Sequence, residues 1–317
     1  MAQQRGSQIE MLLGVESTFG TAPSSAYQMA INTYGVQSTR ALNTAATLTG
    51  QRNPVAPFSG NRTVSGDIVV PVDSIAMARW LIAAFGSPAT SGSGPYTHEF
   101  KVPDSQGSYT LEIANKDLTT ARYLQHRGCK ISSISIDIGG DGELTASLGI
   151  LGATSSWETS SMDATPTDNT TLGRLNNFHA SLTEGGSAIS NVVTASFTID
   201  MGLDDSQYVI GGSGTLGSIP EGIVSVGGSI TMLMDDAAYA VIAKGDAETE
   251  SSLALTLDGG TSSQMEIELQ EILYSMNGPA YPGPQGIQVS LDFQGYYTDG
   301  SEASSIVFRL VNGVSSY

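Results

Sequence analysis

The clearest signal along the chain is an alternation with a period of two residues. Within residues 121–138, Ile134, Ile136 and Ile138 fall on one side of an extended chain, and Ser133, Ser135 and Asp137 on the other. Gly139-Gly140-Asp141-Gly142 follows, a strong hairpin-turn signal. Over 143–151, Leu144, Ala146, Leu148 and Ile150 then alternate with Thr145, Ser147 and Gly149. The pattern predicts a hairpin with one apolar face and one face of small polar side chains. It returns in the second half. Ile267 and Leu269 alternate with Glu266, Glu268 and Gln270 over 265–272, and Ile287, Val289, Leu291 and Phe293 alternate with Gln288, Ser290, Asp292 and Gln294.

Two short echoes tie the halves together. Val64-Ser65-Gly66-Asp67-Ile68 recurs as Val226-Gly227-Gly228-Ser229-Ile230, and LTASLGILG (144–152) as IQVSLDFQG (287–295). The parts between them also match: strand, short helix, loop, strand, strand. The first helix is expected over 74–85, capped by Asp73 or Ser74, with Trp80, Leu81 and Phe85 on its apolar stripe and Gly86 as its stop. The second is expected from Asp235 or Asp236 through Ala243, ending near Gly245. Further strands are expected at 64–72, 96–102, 108–114, 178–200, 226–234 and 252–257, with one more (SIVFRLV) in the tail 303–317. Residues 37–63 and 201–225 read as long polar loops, the first with Arg40, Arg52 and Arg62, and residues 277–286 as a loop in place of the tight turn. The expected organisation is an extended N-terminal arm (1–30), a first module (31–152), a linker (153–176), and a second module with a C-terminal tail (177–317).

Composition narrows the class. Charged residues make up only 14% of the chain, which with abundant Gly, Ser and Thr fits a turn-rich all-β protein. No apolar run reaches the ~18 residues of a membrane span, and MAQQRGSQIEMLLG lacks a signal-peptide core. Synthesis in the cytoplasm is the default expectation. The net charge is −18: residues 1–170 carry 10 basic and 14 acidic side chains, and residues 171–317 carry 3 and 17. Such a chain cannot grip a phosphate backbone over a broad surface.

The familiar chemical motifs are weak. Gly212-Ser213-Gly214-Thr215-Leu216-Gly217 fits a dinucleotide fingerprint by letter, but Ile219-Pro220 follows instead of a helix, so a surface loop is the expected role. Asp204-Asp205 lies in a loop without calcium-site spacing, and Asp235-Asp236 reads as helix capping. His98, His126 and His179 are scattered and are expected to be solvated or capping. Cys129 reads as a small half-buried residue, and no nucleophile elbow is present. No catalytic residue set, cofactor site or metal site emerges.

Against that background, LLGVESTFGTAP (12–23) resembles the start of phage tail tube proteins. NRTVSGDIVVPVDSIAMARWLIAAFG (61–86) resembles the strand–helix core of tube proteins from long, non-contractile tails. The likeness covers most of 8–150 and, more faintly, 178–317. It implies a mainly β fold: two tandem tail-tube-like modules, each a β-sandwich or half-barrel with one short flanking helix. It further implies a structural subunit whose six modules close a ring around a channel for double-stranded DNA. A duplicated chain would need three copies, a pseudo-hexameric trimer. Loops, arm and tail would bridge stacked rings, with Arg40, Arg52, Arg62, Asp204 and Asp205 as contacts. The implied partners are further copies of the chain, tail terminator and tail tip or baseplate proteins, and a tape measure protein inside the tube. DNA would pass without specific binding, and no membrane would be involved.

Strand parity and the implied ring together make Ser133, Ser135, Asp137, Thr145, Ser147, Glu266, Glu268, Gln270, Gln288, Ser290 and Asp292 the expected channel lining. Three other readings make different demands. A capsid decoration or tail accessory protein would form no closed ring. A surface adhesin or carbohydrate-binding module would want a signal peptide and exposed aromatic platforms. A β-solenoid hydrolase would show a much shorter repeat.

Overall fold

The computed structural model describes residues 3–281 and 283–317. Strands β1 (Glu10–Val15), β2 (Tyr27–Met29), β3 (Thr33–Tyr34), β4 (Gln37–Asn43) and β5 (Phe58–Pro71) precede helix α1 (Met77–Phe85). Then come β6 (Ala89–Gly92), β7 (Tyr96–Lys101), β8 (Tyr109–Asn115), β9 (Arg122–Ile138), β10 (Thr145–Gly152), β11 (Thr154–Glu158) and β12 (Thr167–Asn169). The second half has β13 (Ala180–Glu184), β14 (Ser187–Ile189), β15 (Val192–Asp200), β16 (Ser225–Leu233), helix α2 (Asp236–Asp246), β17 (Ser251–Asp258), β18 (Gln264–Tyr274), β19 (Gln288–Gly295) and β20 (Val307–Asn312).

The pairing order of the first half recurs in the second. β2–β1–β8 leads to the start of β9, which also pairs with β11, while β4–β5–β10 leads to the end of β9. Correspondingly, β14–β13–β17 leads to the start of β18, which also pairs with β20, while β15–β16–β19 leads to its end. Each half thus has one long strand that leaves one sheet and enters another. Antiparallel pairing of β9 with β15 welds the halves into one inner sheet, ordered β4, β5, β10, β9, β15, β16, β19, β18. The hairpin β6–β7 is inserted after α1 and joins β20, giving the halves a second seam.

One face of the inner sheet is buried. Ile68, Leu148, Ile134, Ile199 and Val226 form a row across five strands, each at most 1% exposed. Beside them Phe197 meets Phe293 with ring centroids 5.6 Å apart. The second layer of sheets and α1 cover this face, and the core runs through both halves without a break. Burial of such apolar area is the main driving force for a chain with so few charges.

Helix α2 begins as the sequence indicates, at Asp236, but α1 begins at Met77, three residues past the expected start at 74, with Ala76 at its N-cap position. Asp73 accepts bonds from the backbone N–H groups of Ile75 and Ala76, both at 2.6 Å, and of Met77 at 3.2 Å. Burial pushes its carboxyl up to about 6 against those bonds. Asp235 caps α2 through the Ala238 N–H at 2.9 Å. Seven of the nine residues of α1 are buried, but only Ala238, Val241 and Gly245 of α2 are.

Several expectations need correction. Residues 37–63 are not simply a loop, because β4 and the first half of β5 pair from Gln37–Ser65 to Asn43–Phe58 and form a two-stranded ribbon. Residues 10–29 are bound into a sheet through β1 and β2. The stretch after β10 contributes β11 and β12, the latter parallel to β2. His98 and His126 are both buried, and only His179 takes part in a cap.

Candidate functional site

The opposite face of the inner sheet is a band of small polar side chains. Val69, Ser147, Ser135, Thr198, Gly227 and Gln294 form one row across six strands. Asp137, Ser196, Ser229 and Asp292 form the next, and Asp67, Gly149, Ser133, Asp200 and Ser225 a third. An antiparallel sheet packed on one side shows this in/out alternation. Side chains bond laterally, Ser196 Oγ to Ser229 Oγ at 3.0 Å and Thr231 Oγ1 to Ser290 Oγ at 3.4 Å. Asp67, Asp137, Asp200 and Asp292 are all exposed on it. Among its paired positions Lys130, opposite Leu151, is the single Lys or Arg, and its ammonium is taken up by Glu221 and the Ile219 carbonyl. The exposed charges of the band are thus those of its aspartates, which make its potential negative there.

Eight of the expected residues meet here: Ser133, Ser135, Asp137, Thr145, Ser147, Gln288, Ser290 and Asp292. Glu266, Glu268 and Gln270 do not. They lie on the early part of β18, in the second layer beside β17 and β20. There Arg309 binds Glu266, Glu268, Glu99 at 3.0 Å and Glu302 at 2.8 Å. Gln270 instead accepts bonds from Ser301 Oγ and the Glu302 N–H. These carboxylates balance a half-buried guanidinium and do not belong to the polar band. Alternation had put Gln294 on the polar face, though outside the expected lining; the band residues it missed include Asp67, Thr198, Asp200 and Ser229. The signal for Asp67 and Ser229 was in the V-S-G-D-I and V-G-G-S-I echoes, which alternate in the same phase, and that for Thr198 and Asp200 in their alternation with Phe197 and Ile199.

A second feature projects from the edge. The β4–β5 ribbon carries Leu42, Leu48 and Phe58 at 70%, 99% and 55% exposure. Residues 37–63 have three arginines and no acid. Arg40 and Arg62 work at its base. Arg40 donates to the Ser213 carbonyl, Arg62 Nη1 to the Ser155 carbonyl at 2.6 Å, and the Arg62 N–H to the Gly214 carbonyl at 2.7 Å. The glycine-rich loop thus buttresses the ribbon, and no helix follows it. Arg52 lies at the exposed tip. Asp204 turns back on Ser206 and Gln207, whose bonds hold its carboxyl below the usual range.

Cys129 is buried, and burial pushes its thiol far up, so it stays protonated. Among the described residues no group of three or more His, Cys, Asp or Glu side chains could hold a metal ion. Among the same residues no helix is long and apolar enough to cross a membrane.

A family model described as phage tail tube protein matches residues 6–295. The chain belongs to the phage tail tube protein family. No curated protein matches it at a significant level. A tail tube protein is a structural component of the virion, and its working parts are surfaces that meet other copies and other tail proteins. In this tail tube protein the exposed surfaces described above are the polar sheet face, the sheet edges and the projecting ribbon.

Proposed function

We propose that the chain is the major tube subunit of a long, non-contractile tail, built of two tandem tube modules, the first (31–152) joined by the sheet-bound segment 10–29 and the second (177–317) ending in a C-terminal tail. Three copies close a pseudo-hexameric ring, the rings stack, and the polar face of the inner sheet lines the channel. The observation that carries this reading is the continuous inner sheet, apolar on one side and bearing exposed aspartates, with its one lysine buried against Glu221, on the other.

Geometry supports the copy number. Eight strands from each of three copies make about 24 strands at ~4.8 Å spacing, tilted by up to roughly 40°. The backbone circle is then about 37–48 Å across. Removing half the ~10 Å inter-sheet distance from each wall leaves about 27–38 Å, enough for a DNA duplex. Two copies would leave only about 14–22 Å by the same arithmetic.

Electrostatics supports the passenger. Duplex DNA carries one charge per ~1.7 Å, and cationic side chains would bind it by counterion release. A wall bearing Asp67, Asp137, Asp200 and Asp292 leaves the polymer free to slide. Between rings, the tip of the basic ribbon, with Arg52, Leu48 and Phe58, meets the acidic second half of a neighbouring copy, where Asp204 and Asp205 lie. Tail terminator and tail tip proteins cap the ends, and a tape measure protein fills the channel before DNA does.

Electron microscopy of the purified protein at rising concentration tests the reading. Hollow tubes or stacked rings with a central hole are expected. Compact particles without a hole at every concentration would overturn it.

A further inference from the structure

The inner sheet has one seam inside the chain and two edges left over. At the internal seam β15 runs antiparallel to β9, from Ala195 opposite Ile138 to Asp200 opposite Ser133. β3 and β4 stand to β5 as β15 stands to β16. Tyr34 faces Ile68 as Ala195 faces Ile230, and Ser38 faces Val64 as Ile199 faces Val226. Yet among the described residues nothing pairs with the outer side of 33–39.

The other edge is incomplete in the complementary way. β10 pairs with β9 along Ala146–Leu151, but β19 meets β18 only at Phe293, Gln294 and Gly295. The chain beyond β18 continues alongside β19. The Ser275 N–H donates to the Asp292 carbonyl at 2.8 Å, and Asn277 Nδ2 to the Ser290 carbonyl at 2.7 Å. Among the described residues no strand pairs with its outer side, and Met276 and Tyr281 are 75% and 71% exposed.

We propose that these edges are the two halves of a seam between copies, residues 36–39 of one chain pairing antiparallel with residues 275–278 of the next, in the manner of the internal β9–β15 seam. The inference rests on the tube reading and names the surfaces that close its ring. Ser275 stands to Asp292 as Ser133 stands to Gly149, which fixes the register. Thr39 lies opposite Ser275, Ser38 opposite Met276, Gln37 opposite Asn277, and Val36 opposite Gly278.

This register preserves the faces. Thr39, Gln37, Ser275 and Asn277 extend the polar band, while Val36 and Met276 turn to the apolar side. A slip of one residue would put Met276 in the polar band and reverse every side chain after it. Pro279, which has no N–H to donate, ends the pairing. Neither segment carries a charge, so no like-charge contact opposes the approach. The gain is the pairing of exposed backbone groups that would otherwise make sticky edges.

Disulfide trapping in assembled tubes tests the seam. In the double variant Gln37→Cys/Asn277→Cys, mild oxidation should link chains into dimers and closed trimers on a non-reducing gel. The offset pair Gln37→Cys/Met276→Cys points to opposite faces and should stay monomeric. Cys129 is buried and does not compete. Equal cross-linking of both pairs, or none in intact tubes, overturns the seam and leaves the tube reading standing. A wild-type protein that forms neither rings nor tubes overturns both. Amide exchange on the unmodified protein tests the seam without cysteines. Residues 36–39 should gain at least tenfold protection on assembly, and unchanged exchange there would overturn it.

Discussion

Gly66 and Gly228 make the same close approach in the two halves of the sheet. A Cβ on Gly66 would lie 2.3 Å from the Gly35 carbonyl oxygen, and one on Gly228 would lie 1.9 Å from that of Ser196. Gly35 and Ser196 are themselves matching positions, each next to the strand residue facing the glycine. The glycine common to V-S-G-D-I and V-G-G-S-I therefore answers to one backbone contact, made twice.

Replacing either glycine by alanine should push the neighbouring strand away and destabilise the chain by about 1–3 kcal/mol. Gly313→Ala, which meets nothing within 4 Å, is the control. Guanidinium unfolding of the three variants measures the difference. A Gly66→Ala loss no larger than that of Gly313→Ala would contradict the contact.

Acid sensitivity should trace to His126. Its Nδ1 lies 2.6 Å from the Tyr34 hydroxyl, its Nε2 has no partner, and burial lowers its pKa to about 4. The unfolded chain binds the proton near 6.5, so the neutral ring's stability is intact above that pH. It is lost as pH falls from 6.5 toward 4, by up to about 3 kcal/mol. Unfolding free energies at pH 7 and pH 4.5 should converge in His126→Gln, once its constant cost is subtracted. An unchanged pH slope would contradict the assignment.

Lys130 and Glu221 should behave as a coupled pair. Lys130 is 8% exposed, and its ammonium binds the Glu221 carboxylate and the Ile219 carbonyl at 2.8 Å. Burial works to raise the Glu221 carboxyl, but the bonds from Lys130 and the Gln106 N–H outweigh it and hold it below the usual range. Glu221→Gln leaves a buried cation and should cost about 3 kcal/mol, whereas adding Lys130→Met should recover most of it. A double-mutant cycle in denaturant reads the coupling, and additive losses would refute it.

The sequence announced these elements unevenly, for physical reasons. The β9–β10 hairpin was legible because one face is buried and the other wet, which writes the period into the residues. Both helices were legible through Asp73 and Asp235. β1 was obscured because Met11, Leu12, Leu13 and Gly14 are buried on both faces, leaving no alternation. The β4–β5 ribbon was obscured for the opposite reason, since every residue of β4 is exposed. Glu266, Glu268 and Gln270 were assigned to the wrong sheet because alternation tells which face of a strand a residue takes. It does not tell where a long strand changes sheets. That depends on distant partners such as Arg309, forty or more residues away.

A positive charge in the polar band should turn a passage into a binding site. Ser135→Lys with Thr198→Lys places two cations on facing positions of β9 and β15. Assembled tubes of the variant should retain short duplex DNA at low salt and release it as salt rises, whereas wild-type tubes should retain none. Equal retention by both would remove the electrostatic argument.

The count of chains around the tube axis tests the central claim most directly, and a cryo-electron microscopy map of assembled tubes gives it. The account predicts three chains per ring, with Asp137 and Asp292 facing the channel and the Ile134–Ile199 row buried in the wall. Six chains per ring, or those aspartates on the outer surface, would contradict it.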